Sequence, residues 1–264
     1  MLRQSKHIGF ETGAATHPGR VRQRNEDSYL SKPEIGIWAV ADGMGGHEAG
    51  DVASAVVVEA LASIVPPNSA FELFTQCENR IATANSRVRQ IAEERGGIVM
   101  GTTVAALLIF DANYACVWSG DSRIYLVRDG QIAQVSRDHT QVQELLDEGA
   151  ITAEEAKTWP GRNVITRAIG VYDDAELELK NGNLRPGDSF ILCSDGLIAH
   201  VSDAEISDHI SSGTAQLACD RLIDLTLERG AIDNVTVVNV RYMPQLLHGA
   251  TQVRTITGRR DPWG

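Results

Sequence analysis

Apolar residues at Ala49, Val52, Ala53, Val56, Val57, Ala60, Leu61 and Ile64 recur at three- and four-residue intervals, which predicts a helix ended by Pro66-Pro67. A second helix is expected from about Ala70 to Arg95, with Phe71, Phe74, Ile81, Val88 and Ile91 as its apolar stripe and Gly96-Gly97 as its stop. Together they predict a helical hairpin. The period then shortens. TTVAALLIF (102–110), NYACVWS (113–119) and RIYLVRDG (123–130) are short β-branched or aromatic runs parted by turn residues, and predict consecutive antiparallel strands. Near-continuous apolarity at 104–110, 37–41 and 190–193 predicts strands covered on both faces, as where sheets pack on sheets and helices cap the outside. A layered sandwich of helices and sheets follows.

From Asp138 to about Arg167 the pattern turns helical and polar, broken at Pro160-Gly161, and reads as an excursion beside the main core. Strand (Ser189 to Ser194), two helices (about Asp203 to Ser211 and Ala215 to Arg229) and strand (Val235 to Arg241) then close the fold. One domain over 1–243 is expected, with 244–264 as a flexible tail.

Composition narrows the function classes. The 264 residues, 43% hydrophobic and 22% charged, suffice for a full-sized core. A formal charge of −11 and the lack of a Lys/Arg-rich run argue against a nucleic-acid partner. Cys77, Cys116, Cys193 and Cys219 are far apart and form no CxxC pair, so buried free thiols in a reducing cytoplasm are expected. The N-terminus has no apolar h-region, and the longest weakly polar stretch, Thr102 to Phe110, falls far short of the ~20 residues that span a bilayer, so neither secretion nor membrane anchoring is expected.

Four apolar runs are punctuated by aspartate: WAVA before Asp42-Gly43, CVWSG before Asp121-Ser122, FILCS before Asp195-Gly196, and Asp233-Asn234 before VTVVNV. One Asp-Gly is an ordinary turn. Carboxylates at four strand ends of packed sheets would converge and repel unless cations neutralise them. An all-oxygen donor set favours Mg²⁺ or Mn²⁺ over Zn²⁺. Taken alone, Asn25-Glu26-Asp27 is a helix cap or loop, and Arg22 a solvated charge.

Taken in order, eight stretches resemble the motif series of the protein phosphatase 2C family, metal-dependent serine/threonine phosphatases, in its compact bacterial form. They are Gly19 to Ser28, Val40 to His47, Gly101-Thr102-Thr103, Gly120 to Tyr125, Asp138-His139-Thr140, Asn163 to Gly170, Cys193 to Leu197 and Asp233 to Thr236. The resemblance covers about residues 9 to 241. It implies an α+β fold, a four-layer αββα sandwich of two antiparallel sheets with helices on both outer sides. It implies that Asp42 bridges two Mn²⁺ or Mg²⁺ ions, with the Gly43 carbonyl on one and Asp195 and Asp233 on the other. Asp27 and Glu26 would hold metal-bound waters, Asp121 a weaker third ion, and Arg22 the substrate phosphate through its planar fork of donors. Hydrolysis would use metal-activated water with no phosphoenzyme. Residues 141–165 would form the variable flap that selects protein substrates.

His47 is the general-acid candidate implied, and equally a surface helix-cap histidine, because this chain inserts Met44-Gly45-Gly46 where animal-type members place a histidine directly after Asp-Gly. His139 is the other histidine expected near the site, as a proton donor or as an orienter of the flap. The partners implied are phosphorylated proteins, among them a eukaryotic-like serine/threonine kinase, with the phosphatase acting as a monomer. Thiol-based phosphatase chemistry is excluded, since none of the four cysteines has an arginine across five intervening residues. No lysine follows a glycine as a P-loop requires, and His47-Glu48 lacks the second histidine of a zinc-protease helix. A non-catalytic phosphoprotein-binding relative, or a hydrolase of small phosphoesters, are the alternatives.

Overall fold

The computed structural model describes residues 9–45 and 49–244. The expected tail 244–264, apart from Pro244, lies outside the described residues. The first sheet has the order β1 (Phe10–His17), β11 (Val235–Tyr242), β10 (Ser189–Cys193), β7 (Arg123–Arg128) and β8 (Gln131–Gln134). The second runs β2 (Asp27–Lys32), β3 (Ile37–Gly45), β5 (Val104–Phe110), β6 (Asn113–Ser119) and β9 (Glu178–Asn183), with short β4 (Met100–Thr102) also on β3. Every ladder is antiparallel.

Two-residue alternation decides what each face meets. Trp38, Val40, Ala105 and Leu107 point between the sheets onto Phe190, Leu192, Val238 and Val240. Their neighbours Ile37, Ala39, Ala41, Ala106 and Leu108 pack under α1 (Gly50–Ala62) and α2 (Ala70–Glu94), against Val57, Leu61, Leu73 and Ile81. On the other sheet Tyr125, Ile191, Cys193, Val235 and Val237 lie under α6 (Asp203–Ile210) and α7 (Ala215–Glu228). Both faces of the central strands are therefore covered, which is why their sequences lack a polar alternate. The expected αββα sandwich is the architecture observed. Ser69 caps α2, and Ser202 with Glu205 forms a capping box on α6.

Three expectations differ from the structure. The strands at 113–119 and 123–130 were expected to pair, but β7 crosses to the other sheet and pairs with β10 and β8. Gly120, at φ 107, turns the chain there. The segment from Asp138 to Arg167 is helical only in α3 (Gln141–Asp147) and α4 (Ala153–Lys157), neither of which has a buried residue. Of Asn25-Glu26-Asp27, which alone read as a helix cap or loop, Asp27 instead opens edge strand β2.

Candidate active site

Asp27 on β2 and Asp42 on β3 are directly opposed residues of one ladder. Asp195 opens α5 (Asp195–Ile198) at the end of β10, and Asp233 precedes β11, the neighbour of β10 in the other sheet. Asp27 joins the two sheets at this end: its Oδ2 accepts from Ser194 Oγ at 2.8 Å and from Thr236 Oγ1 at 2.7 Å. The strand ends therefore bring Asp27, Asp42, Asp195 and Asp233 to one place, with Asp121 beyond the end of β6.

Local sequence explains the approach. A Cβ on Gly43 would lie 2.0 Å from the Gly50 carbonyl oxygen, and one on Gly196 1.9 Å from that of Asn234. Each Asp-Gly pair thus supplies a carboxylate and room for another backbone. The Asp42 N–H donates to Thr103 Oγ1 at 3.0 Å, while its carbonyl accepts from the Thr103 N–H at 2.8 Å and from Thr102 Oγ1 at 2.9 Å. Asn234 accepts from the Glu26 N–H at 2.8 Å and donates to the carbonyls of Pro18 and Arg24, pinning the loop that carries Arg22. No role was assigned from sequence to Thr102, Thr103, Ser194, Asn234 or Thr236. The signal was their place beside the acids in the motifs, but polar side chains that hold backbone look like any loop residue.

Asp27 and Asp121 are almost wholly buried, whereas Asp42, Asp195, Asp233 and Glu26 keep part of their surface open to solvent. Burial, followed by the charges of Asp27, Asp195, Asp121 and Asp233, pushes the Asp42 carboxyl well above the usual carboxylate range. Burial raises Asp27 to about 7 against the opposing hydrogen bonds from Thr236 and Ser194. Asp121 is raised to about 7 by burial and then by Asp195 and Asp138. Asp195 is raised by burial and by Asp233, and Glu26 by burial against the Gly50 N–H. Arg22 Nη2 donates to Asp233 Oδ2 at 2.7 Å, which raises the guanidinium pKa.

These residues fit divalent cations. The Asp42 carboxyl, raised by the charges of Asp27, Asp195, Asp121 and Asp233, sits in an arrangement that a hard cation relieves, and Asp27 Oδ1 is buried with no hydrogen-bond partner. Among the described residues, no three His, Cys, Asp or Glu side chains are already gathered as a metal cage. His47 lies outside the described residues.

The model of the family described as protein phosphatase 2C matches residues 17–223. The chain belongs to the protein phosphatase 2C family. Among its relatives, the serine/threonine protein phosphatase PstP of Mycobacterium tuberculosis is 41% identical over 226 residues, covering 85% of this chain and 43% of that protein. The chain therefore spans less than half the length of that relative. The serine/threonine phosphatase Stp of Listeria innocua is 35% identical over 234 residues, covering 85% of this chain and 93% of that protein. Of solved structures, PppA, titled a key regulatory component of the type VI secretion system in Pseudomonas aeruginosa, superposes with a TM-score of 0.82 at 42% identity, covering 88% of this chain and 97% of its own. The PstP catalytic domain in complex with two manganese ions gives 0.80 at 37% identity, covering 89% and 98%.

Proposed function

We propose that this chain is a protein serine/threonine phosphatase that hydrolyses phosphoserine and phosphothreonine with the help of two divalent ions, Mn²⁺ or Mg²⁺, and a weaker third. The observation that carries this is the convergence of Asp27 and Asp42 from one sheet with Asp195 and Asp233 from the other. A manganese-bound phosphatase of the same fold supports it. Asp42, the Gly43 carbonyl, Asp195 and Asp233 would hold the two ions, Asp27 and Glu26 would hold water against them, and Asp121 would hold the third. Bound there, the ions lower the pKa of water and neutralise charge developing on the phosphoryl oxygens.

The chain's own residues do the rest. Arg22, about half exposed beside Asp233, presents its donors to solvent where a substrate phosphate would arrive. Ser194 and Thr236 fix the Asp27 carboxylate from below. Thr102 and Thr103 hold the Asp42–Gly43 backbone in place. The segment 141–165 would act as the flap that screens protein substrates. Phosphorylated proteins, including a eukaryotic-like serine/threonine kinase, are the partners we infer from relatives named serine/threonine phosphatases. Four buried free thiols suit a reducing cytoplasm.

The test is hydrolysis of a phosphothreonine peptide by metal-stripped protein, with Mn²⁺ or Mg²⁺ added back and Asp195→Asn as control. Turnover that returns with metal and is missing in the variant supports the assignment. No turnover on any phosphopeptide would point to a phosphoprotein-binding module, and preference for nucleotides or sugar phosphates to a small-molecule hydrolase.

A further inference from the structure

His139 is buried, 6% exposed, and belongs to no part of the site described above. It grips Gly120, the residue before Asp121, in two ways. Its backbone N–H donates to the Gly120 carbonyl at 3.0 Å, and its ring Nδ1 faces the Gly120 N–H at 3.1 Å. Because Nδ1 accepts that hydrogen bond, the ring proton of the neutral imidazole lies on Nε2. Nε2 is 3.2 Å from Glu178 Oε1, which can accept it. Arg167 Nη1 donates to the same Glu178 oxygen at 3.0 Å and so holds the acceptor in place. The Trp118 ring stacks on the imidazole at 6.3 Å, itself anchored by a hydrogen bond from Nε1 to the Arg137 carbonyl at 2.9 Å.

We infer that His139 is a positioning residue: as its Nε2–H tautomer, oriented by Glu178, it locks the Gly120–Asp121 turn and so sets the carboxylate of Asp121 for the third divalent ion. Gly120 sits at φ 107, with the Thr103 side chain 2.6 Å from where its Cβ would be, so the turn is one that needs holding. Burial, and then the charge of Arg167, lower the pKa of His139 against the opposing pull of Glu178, in keeping with a neutral ring. The inference rests on the assignment of Asp121 as an ion-holding carboxylate.

Full-length wild type, His139→Ala and His139→Asn are compared by Mn²⁺ titration, with electron paramagnetic resonance counting bound ions, and by melting temperature. Asparagine can offer an oxygen where Nδ1 accepts, whereas alanine leaves the Gly120 N–H unpaired. His139→Ala should weaken the weakest Mn²⁺ site about tenfold and His139→Asn should restore it to within about twofold, the scale seen when partners that orient metal ligands are lost. A lower melting temperature with unchanged Mn²⁺ binding, or equal loss in both variants, would overturn the inference. ¹⁵N NMR of metal-stripped wild type should show the Nε2–H tautomer. Finding the proton on Nδ1 would also overturn it, whatever becomes of the phosphatase assignment.

Discussion

Asp27 and Asp42 face each other across the β2–β3 ladder, and after burial itself the charge of Asp27 is the largest influence raising the Asp42 carboxyl. Removing one member should therefore have opposite effects on activity and on stability. In Asp42→Asn or Asp195→Asn, turnover of a phosphothreonine peptide is expected to fall about 10²–10⁴-fold, since a metal supplies several kcal/mol of charge stabilisation. In chelator, the same variants should melt above wild type, because repulsion is relieved. Wild-type turnover in either purified variant would refute the site.

Asp42, Asp121, Asp195 and Asp233 were legible because each bounds an apolar run, a pattern that period-two strands and turns make visible in one dimension. The sandwich was legible for the same reason: Ile37 to Ala41 and Val104 to Leu108 have no polar alternate. The edge strands were not. Phe10–His17 and Glu178–Asn183 are half exposed, and their mixed residues look like loop. Sheet membership was hidden too, since an apolar run such as Arg123–Arg128 suits either sheet and only the turn at Gly120 decides. Arg22 carried no signal by itself. Only the fold sets it beside Asp233.

Arg22→Ala should chiefly raise KM. The guanidinium is about half exposed and its ion pair with Asp233 spans 2.7 Å, so its loss should cost the fold no more than about 1 kcal/mol. Hydrogen bonds to charged groups contribute about 1.5–3 kcal/mol, which predicts a rise in KM of about tenfold or more. Arg22→Lys should recover only part, lacking the planar fork. Steady-state kinetics with an unchanged KM would move phosphate binding elsewhere.

The four cysteines give a test of the core. Burial pushes Cys77, Cys193 and Cys219 to about 12 and raises Cys116 as well. A thiol whose folded pKa exceeds its unfolded value favours the fold below about 8.5, and that contribution is lost as pH climbs towards 12. At pH 8 none of the four should react quickly with a thiol reagent, and all four should react in denaturant. Denaturation midpoints should fall from about pH 9 upward. Fast labelling of the native protein would contradict this packing.

At the end of β10 away from the acids, Asp188 is 1% exposed, takes both oxygens to Arg128 at 2.8 and 2.7 Å, and accepts the Arg185 N–H at 2.7 Å. Asp188→Ala would remove three hydrogen bonds to a carboxylate, each contributing about 1.5–3 kcal/mol, while Arg128 keeps the Asn183 carbonyl, so a loss of about 3 kcal/mol or more is expected. For a domain of this size that is a fall in melting temperature of about 6 °C or more. Turnover at 25 °C should be unchanged while the protein stays folded, since Asp195 lies at the opposite end of the strand. A small thermal shift, or a loss of turnover in folded protein, would show that this pair is not the local support described.

The flap offers a separable test of substrate choice. Its ends are pinned by the Gln141 N–H donating to the Val164 carbonyl at 3.0 Å and by an isolated bridge between Thr140 and Ile165. Between them, α3 and α4 bury no residue, so the sandwich does not depend on their packing. Replacing residues 142–163 with a short Gly-Ser linker should leave the fold and the hydrolysis of a small aryl phosphate in place. The preference for a phosphothreonine protein over that small substrate should shrink, because the segment removed carries no acid of the metal cluster but borders it through Asp138 and His139. If kcat/KM for both substrates falls in parallel, residues 141–165 support the site itself. If neither changes, substrate selection lies elsewhere on the rim.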